Sequence, residues 1–145
     1  LMLHNRQPII YEDEEQKRSF SDVDDCIYCI DKLATDPNIK SQLVNIGPDD
    51  NFISINELFK KISNQLQFNQ EPVHYSDRIN EVKIANCSAD KAKKVLGYKK
   101  KVSLDESLAK MIEYIKLKGK KKFKYSYELE IKNDQTPKTW LEKKF

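Results

Sequence analysis

The stretch PIIYEDEEQKRSFSDVDD, residues 8–25, contains the elements that decide the fold. Its short apolar run, Ile9–Tyr11, predicts a β-strand, and an acidic turn follows. At its other end Ser21 or Asp22 can cap a helix, because short polar side chains accept hydrogen bonds from the free N–H groups of a first turn. Arg18 lies between the two elements. A strand and a helix in close succession predict a mixed α and β fold.

Arginine is rare in this chain. Only Arg6, Arg18 and Arg78 are arginine among 26 cationic residues. A planar guanidinium group can hold a phosphate through two parallel hydrogen bonds, which a lysine cannot do. The aspartates of the run 22–25 fit the start of a helix, where the helix dipole favours negative charge, better than a metal or acid–base cluster. Arg18 is therefore the candidate functional residue of the stretch.

Three further helices are predicted along the chain. Ser54 and Ser103 are each followed three residues later by glutamate, the pattern of a capping box. A shorter helix begins near Ser88 and ends at Gly97, and the last helix ends near Gly119. The apolar positions that we expect to face the core are Val23, Cys26, Ile27, Ile30 and Leu33 in the first helix, Ile55, Leu58, Phe59, Ile62 and Leu66 in the second, and Leu104, Leu108, Met111, Ile112 and Ile115 in the last.

Further strands are predicted at Leu43–Ile46 and Val73–Tyr75. From Phe123 to Ile131 apolar and polar residues alternate, which is typical of a strand with one buried face. We expect the remaining tail to be anchored by Trp140, the only tryptophan.

Size and charge predict a single globular unit. The chain has 145 residues, a net charge of +3 and 34% charged residues. No apolar run approaches the roughly 20 residues of a membrane span. We expect a cytoplasmic protein without a secretory signal, and a fragment, since residues 1–5 resemble the end of a helix.

The cysteines and histidines do not form a recognisable metal motif. Cys26 and Cys29 make a C-x-x-C inside an apolar helical face, and Cys87 is the third cysteine. A structural zinc ion takes four ligands, and neither His4 nor His74 has the spacing to complete such a site. We expect the cysteines to pack as small apolar side chains, with redox or metal binding as the alternative.

No catalytic pair is predicted either. A lysine one turn from a tyrosine can lower the pKa of the phenol, and Tyr28–Lys32 and Tyr114–Lys118 have this spacing. With seven tyrosines and so many lysines, chance accounts for both pairs. The three glycines are widely separated, so the chain lacks a glycine-rich loop for a dinucleotide. We expect no catalytic residue and no cofactor bound by this chain.

Five motifs in order carry a family resemblance. They are PIIYEDEEQKRSFSDVDD, LVNIG, SINELFKKI, YSDRINEV and SADKAKKVLGYKKKVSLDESLAKMIEYI. Together they resemble the C-terminal portion of the NAD-dependent sugar-nucleotide epimerase/dehydratase family, the extended short-chain dehydrogenases, with UDP-sugar 4-epimerases as the nearest type. The resemblance covers about residues 7–118.

The resemblance implies an α/β substrate-binding portion, residues 1–118, without the N-terminal Rossmann region that binds NAD in the parent enzyme. Residues 119–145 would be an extension with one strand and an anchored tail. The implied ligand is a nucleotide-diphosphate sugar, above all a UDP-sugar. Ile9, Ile10 and Tyr11 would lie along the base, Arg18 would reach the ribose or phosphate, Arg78 would hold the diphosphate, and Glu81 would accept hydrogen bonds from the ribose.

The resemblance also implies that this chain works together with a further region of protein. The missing N-terminal region would be supplied in cis or in trans, and such enzymes are often homodimers. This chain alone would then not be a complete enzyme. Glu12 and Glu14 stand where the family often has glycine, and we predict that they point to solvent. Ser19 and Asn80 also depart from the family pattern.

Two alternatives belong to other classes. The chain could be a noncatalytic interaction or regulatory module, which an upstream reading frame encoding a glycine-rich loop would argue against. The basic segment Lys116–Lys124, interleaved with aromatic residues, could bind nucleic acid or another anion. The expected burial of those aromatic rings in a strand speaks against nucleic acid.

Overall fold

The computed structural model describes residues 1–11, 16–48, 53–76, 78 and 81–144. A short 3-10 helix, Met2–His4, precedes the other elements. In chain order these are β1 (Ile9–Tyr11), β2 (Lys17–Arg18), α1 (Val23–Thr35), β3 (Ile53–Ser54), α2 (Ile55–Leu66), β4 (Val73–Tyr75), β5 (Ile84–Ala85), α3 (Asp90–Leu96), α4 (Leu104–Lys118) and α5 (Lys138–Leu141). The predicted α/β class is confirmed. Glu12 and Glu14, which we predict to point to solvent, lie outside the described residues, as does Asn80.

The strands form two small sheets. β1 pairs in parallel with β4, so that Tyr11 lies beside Tyr75. β2 is the middle strand of the second sheet, antiparallel to β3 and parallel to β5. In that sheet Arg18 pairs with Ile53 on one side and with Ala85 on the other. The pairing brings Arg18 next to a segment more than sixty positions later in the chain.

The predicted helix starts are confirmed. The side chain of Asp22 accepts a hydrogen bond from the backbone N–H of Asp24 and caps α1. Both capping boxes are present, with Ser54 paired to Glu57 at α2 and Ser103 paired to Glu106 at α4. Each pair satisfies two backbone N–H groups that a helix start leaves free.

The core lies where α1 packs against α3. Its buried members are Cys29, Ala89, Ala92, Leu96 and Tyr98, and Cys29 is fully buried. Burial raises the pKa of the Cys29 thiol, which keeps it protonated and unreactive. The prediction that this cysteine packs as an apolar side chain is therefore confirmed.

The predicted inner face of α1 is largely wrong. Val23, Ile27 and Ile30 are 65%, 54% and 59% exposed. The helix instead turns Cys29 and Asp25 inward, and the Asp25 carboxylate accepts hydrogen bonds from the backbone N–H of the loop before α4. This polar anchor fixes the rotation of the helix, because a buried carboxylate must keep its donors. The three apolar residues, spaced by four and three positions, form an exposed stripe that we call the α1 stripe.

Two predicted strands are absent from the described residues. Residues 43–46 have no strand, although Val44 and Ile46 still pack against the core. Residues 123–131 are also not a strand, and Phe123 and Tyr127 are 62% and 90% exposed. Alternation predicts a strand only where a neighbouring strand offers an edge, and neither sheet extends to this segment.

The last helix of the prediction is confirmed in extent, and part of its expected inner face is exposed. Leu108 and Ile112 are buried, whereas Met111 and Ile115 are 45% and 37% exposed. None of the helices in the described ranges has both the length and the hydrophobicity that crossing a membrane requires.

Candidate functional site

Arg18 is fixed by backbone carbonyl groups. Its Nη1 donates hydrogen bonds to the carbonyl oxygens of Lys17 and Lys83, at 2.9 and 3.0 Å, and its Nη2 donates to that of Val82 at 2.5 Å. The side chain is 25% exposed. The guanidinium therefore holds the segment before β5 against β2, and most of its donors already have partners within the protein.

Glu81 joins the two arginines that the sequence singles out. Arg78 donates to the carboxylate of Glu81 through Nη2 at 2.5 Å and through Nε to the other oxygen. The Nη2 of Arg18 lies 3.8 Å from the same carboxylate. Two guanidinium groups thus surround one carboxylate, which leaves one net positive charge at this place.

The guanidinium group of Arg78 packs over the ring of Tyr11. The guanidinium carbon of Arg78 lies 4.7 Å from the centre of the Tyr11 ring, within the range of a cation–π interaction. The Tyr75 ring meets Tyr11 edge to face at 5.8 Å, as the register of β1 with β4 requires. The Tyr11 ring thus lies between Tyr75 and the guanidinium group of Arg78, and β1 positions the Arg78 side chain through this ring.

Arg18, Arg78 and Glu81 line one open cavity of about 580 Å³, which we call the arginine cleft. Three parts of the chain that are distant in sequence meet there: β2, Arg78 with residues 81–85, and the C-terminal tail. The lining residues are Arg18, Arg78, Glu81, Val82, Ala85, Gln135, Pro137 and Trp140. Three of the six residues proposed from the resemblance therefore face a common cleft.

The three residues of β1 differ in how accessible they are. The Ile10 side chain is 4% exposed and belongs to the interior, and Ile9 and Tyr11 are partly buried. The hydroxyl group of Tyr11 lies 2.7 Å from the Thr139 hydroxyl. A base lying along this strand would meet Ile10 only through the backbone.

The tail residues of the cleft were not predicted. Trp140 was expected to anchor the tail, but it is 52% exposed and Thr139 is the buried residue, at 2%. The signal in the sequence was weak, because a threonine between a lysine and a tryptophan matches no motif. In the structure this threonine is hydrogen-bonded to the hydroxyl group of Tyr11, which is 128 positions earlier in the chain.

The remaining candidates keep structural roles. The Tyr28 hydroxyl donates to the carbonyl of Leu96, and Tyr114 is 61% exposed with Lys118 over its ring. Cys26, Cys29 and Cys87 are free thiols. Within the described part of the chain, no cluster of three or more His, Cys, Asp or Glu side chains could hold a metal ion.

The chain is similar to known epimerases in both sequence and structure. A candidate UDP-glucose 4-epimerase of Methanocaldococcus jannaschii is 33% identical over 115 residues, covering 79% of this chain and 36% of that protein. No model of a known protein family matches.

Two solved structures extend the comparison. The UDP-glucose 4-epimerase of Thermotoga maritima with UDP-glucose has a TM-score of 0.74 and 31% identity, over 81% of this chain and 37% of that one. The UDP-glucuronic acid 4-epimerase of Bacillus cereus with UDP-glucuronic acid and NAD has a TM-score of 0.69 and 27% identity, over 81% of this chain and 38% of that one. The present chain thus spans little more than a third of the length of these proteins.

The fold is that of the C-terminal portion of a sugar-nucleotide epimerase. The chain is related to the C-terminal portion of the NAD-dependent sugar-nucleotide epimerase/dehydratase family, and the relatives named above are UDP-sugar epimerases. The resemblance predicted from the five sequence motifs is confirmed.

Proposed function

We propose that this chain binds the nucleotide-diphosphate end of a UDP-sugar, as the substrate-binding portion of an NAD-dependent cytoplasmic epimerase or dehydratase. The supporting observation is that Arg18, Arg78 and Glu81 meet in the arginine cleft although Arg78 and Glu81 are 60 and 63 positions away from Arg18. An open cleft with excess positive charge suits a diphosphate, since guanidinium groups form charge-assisted hydrogen bonds with phosphate oxygens.

In this proposal the three side chains have different roles. Arg78 is 41% exposed and its known partners are Glu81 and the Tyr11 ring, so it is the arginine that binds the diphosphate directly. Arg18 shapes the cleft through its carbonyl contacts and adds charge. Glu81 screens both arginines in the free protein and accepts hydrogen bonds from the ribose hydroxyl groups once phosphate replaces it beside Arg78.

The residues of this chain do not fit a dinucleotide site. Such a site needs a glycine-rich turn between a strand and the start of a helix. Here Gly97 and Gly119 follow the ends of α3 and α4, and a Cβ atom at Gly47 would lie 3.3 Å from the Ser21 hydroxyl. In our proposal NAD is therefore bound by the remaining part of the enzyme, in cis or in trans.

The α1 stripe supports the presence of such a part. Val23, Ile27 and Ile30 expose a continuous apolar strip on a helix that is well packed on its other side. Almost two thirds of the length of these relatives lies outside the part that this chain covers. We assign the stripe to the contact with that remaining region.

Calorimetry with UDP tests the binding function directly. The chain should bind UDP and inorganic pyrophosphate, and it should show no epimerisation of a UDP-sugar in the presence of NAD. The Glu81→Gln variant should bind UDP more weakly while its affinity for pyrophosphate is kept or rises, because pyrophosphate has no ribose. Turnover by the isolated chain, or no binding of either ligand, would contradict the proposal.

A second candidate function arises from the tail. The aromatic residues beside the basic segment are not buried in a strand, so the main argument against nucleic acid no longer holds: Phe123 is 62% exposed and Tyr127 90%. Exposed rings among lysines can stack on unpaired bases. A labelled single-stranded oligonucleotide should then bind in a salt-dependent manner. The triple variant Lys120→Ala, Lys121→Ala and Lys122→Ala should lose this binding and keep that of UDP.

A further inference from the structure

The only tryptophan of the chain stands at the wall of the arginine cleft. Trp140 is 52% exposed and lines the cleft together with Arg18 and Arg78. It also lines an adjoining apolar cavity of about 470 Å³ with Tyr125 and Leu141. Trp140 thus borders two cavities, one of which also contains the two arginines.

The position of Trp140 is fixed by its neighbour. Thr139 is 2% exposed, its backbone N–H donates to the Tyr11 hydroxyl at 3.1 Å, and its own hydroxyl lies 2.7 Å from the same oxygen. Three residues later, Glu142 accepts a hydrogen bond from the Tyr75 hydroxyl at 3.0 Å. The helix α5 is therefore attached to both strands of the first sheet, and Tyr11 in turn supports Arg78.

Trp140 is the accessible aromatic surface of the cleft. Ile10 is buried, and the Arg78 guanidinium already lies over the Tyr11 ring. A planar base entering the cleft therefore finds its open stacking surface on Trp140. The exposed side chain of Gln135, in the same lining, carries an amide donor and acceptor that suit the edge of a base.

We propose that the C-terminal tail forms the base subsite of the arginine cleft, with Trp140 stacking on the base and Gln135 bonding its edge. The inference rests on the proposed function and deepens it, because it assigns nucleoside recognition to the tail, beyond the segment that resembles the family. The ligand class is a pyrimidine nucleoside diphosphate, whose base and diphosphate would contact Trp140 and Arg78 respectively.

The single tryptophan makes the test direct. Titration with UDP should change the Trp140 fluorescence, whereas pyrophosphate, which has no base, should bind with little change. In calorimetry Trp140→Leu should weaken UDP binding by about tenfold, the low end of what loss of one base–aromatic stack costs, and leave pyrophosphate binding unaltered. Trp140→Phe should recover most of the UDP affinity. The matched control is Tyr114→Leu, which removes a 61% exposed aromatic ring of α4 that lines neither the cleft nor the adjoining cavity.

The possible outcomes distinguish an error in the base subsite from an error in the proposed binding function. If UDP binds equally well to Trp140→Leu and to the unaltered chain, the base subsite is wrong while the binding function stands. If neither UDP nor pyrophosphate binds to the unaltered chain, both the proposed function and the base subsite are wrong. Circular dichroism of each variant establishes that it is folded, and Trp140→Phe provides the conservative comparison.

Discussion

Tyr11 and Thr139, 128 positions apart, have their hydroxyl groups 2.7 Å from each other, and the same phenol oxygen accepts the backbone N–H of Thr139 at 3.1 Å. The first strand and the last helix are thus connected through one oxygen atom. Because Thr139 is buried, water cannot replace this oxygen without rearrangement. The tail is therefore part of the folded unit, and its contact with β1 determines where Trp140 stands.

The Tyr11→Phe variant should destabilise the protein. Removal of the phenol oxygen leaves the buried N–H and hydroxyl of Thr139 without this partner, which typically costs about 1–3 kcal/mol. Urea denaturation should show the loss as a lower midpoint. The control is Tyr127→Phe at a 90% exposed position, which should change stability by less than about 0.5 kcal/mol. Equal midpoints for the Tyr11→Phe variant and the unaltered chain would show that the hydrogen bonds between Tyr11 and Thr139 contribute nothing to stability.

The two arginines of the cleft should respond differently to alanine. Arg78→Ala should weaken UDP binding by about 10- to 100-fold with a small effect on stability, because charge-assisted hydrogen bonds contribute roughly 1.5–3 kcal/mol. Arg18→Ala should weaken binding and also lower the unfolding midpoint, because the Val82 carbonyl loses the Arg18 donor and the Lys83 carbonyl keeps only the backbone N–H of Lys17.

The control for both is Arg6→Ala. Arg6 donates to the carbonyl of Lys144 and is not among the residues that line the cleft. Its UDP affinity should match that of the unaltered chain. If Arg78→Ala binds UDP as well as Arg6→Ala does, the diphosphate does not contact Arg78.

Local signals predicted much of this fold, and long-range contacts decided the rest. The capping boxes at Ser54 and Ser103 depend only on residues three positions apart, so the sequence locates them. The rotation of α1 depends on Asp25 reaching backbone groups some 76 positions later, which no periodicity contains. Equally, the alternating tail predicts a strand, but a strand requires an edge to pair with, and the fold does not provide one there.

In the site, too, some residues are predictable from local motifs and others depend on long-range contacts. Arg18, Arg78 and Glu81 are candidates because they lie in two motifs that resemble a family, and the structure brings them to one cleft. Trp140 and Gln135 lie outside the region of resemblance. The position of Trp140 follows from the contact between the neighbouring Thr139 and Tyr11, which is a tertiary contact and not a sequence motif.

Acid should destabilise the protein in a predictable direction. Hydrogen bonds from Ser107 and from the backbone of Asp24 lower the pKa of Asp22 below its ordinary value of 3.8. The capping serines likewise lower the pKa of Glu57 and Glu106 below 4.5. A carboxyl group with a lower pKa in the folded state stabilises the fold above its unfolded pKa, and this stabilisation is lost as the pH falls through the folded value.

The free energy of unfolding should therefore be constant near neutral pH and fall as the pH drops below about 4.5. In urea denaturation at a series of pH values, Asp22→Asn should be less stable than the unaltered chain at pH 7 and should show a shallower decline in acid. The comparison variant is Asp134→Asn, in the tail. A decline in acid equally steep for Asp22→Asn and the unaltered chain would exclude Asp22 as a source of this dependence.

The α1 stripe should bind the remainder of an epimerase without being needed for folding of this chain. Ile27 is 54% exposed, so Ile27→Glu should change the stability of the isolated chain by no more than about 0.5 kcal/mol. A charge in the middle of an apolar contact must be desolvated, so the same variant should lose association. The measurement is co-purification with the N-terminal part of the Methanocaldococcus jannaschii relative, which this chain does not cover. Leu43→Glu, at an 86% exposed position outside the helix, is the control and should still co-purify. If the Ile27→Glu variant co-purifies as well as the control, or if the unaltered chain does not co-purify at all, the stripe is not the surface that contacts this region.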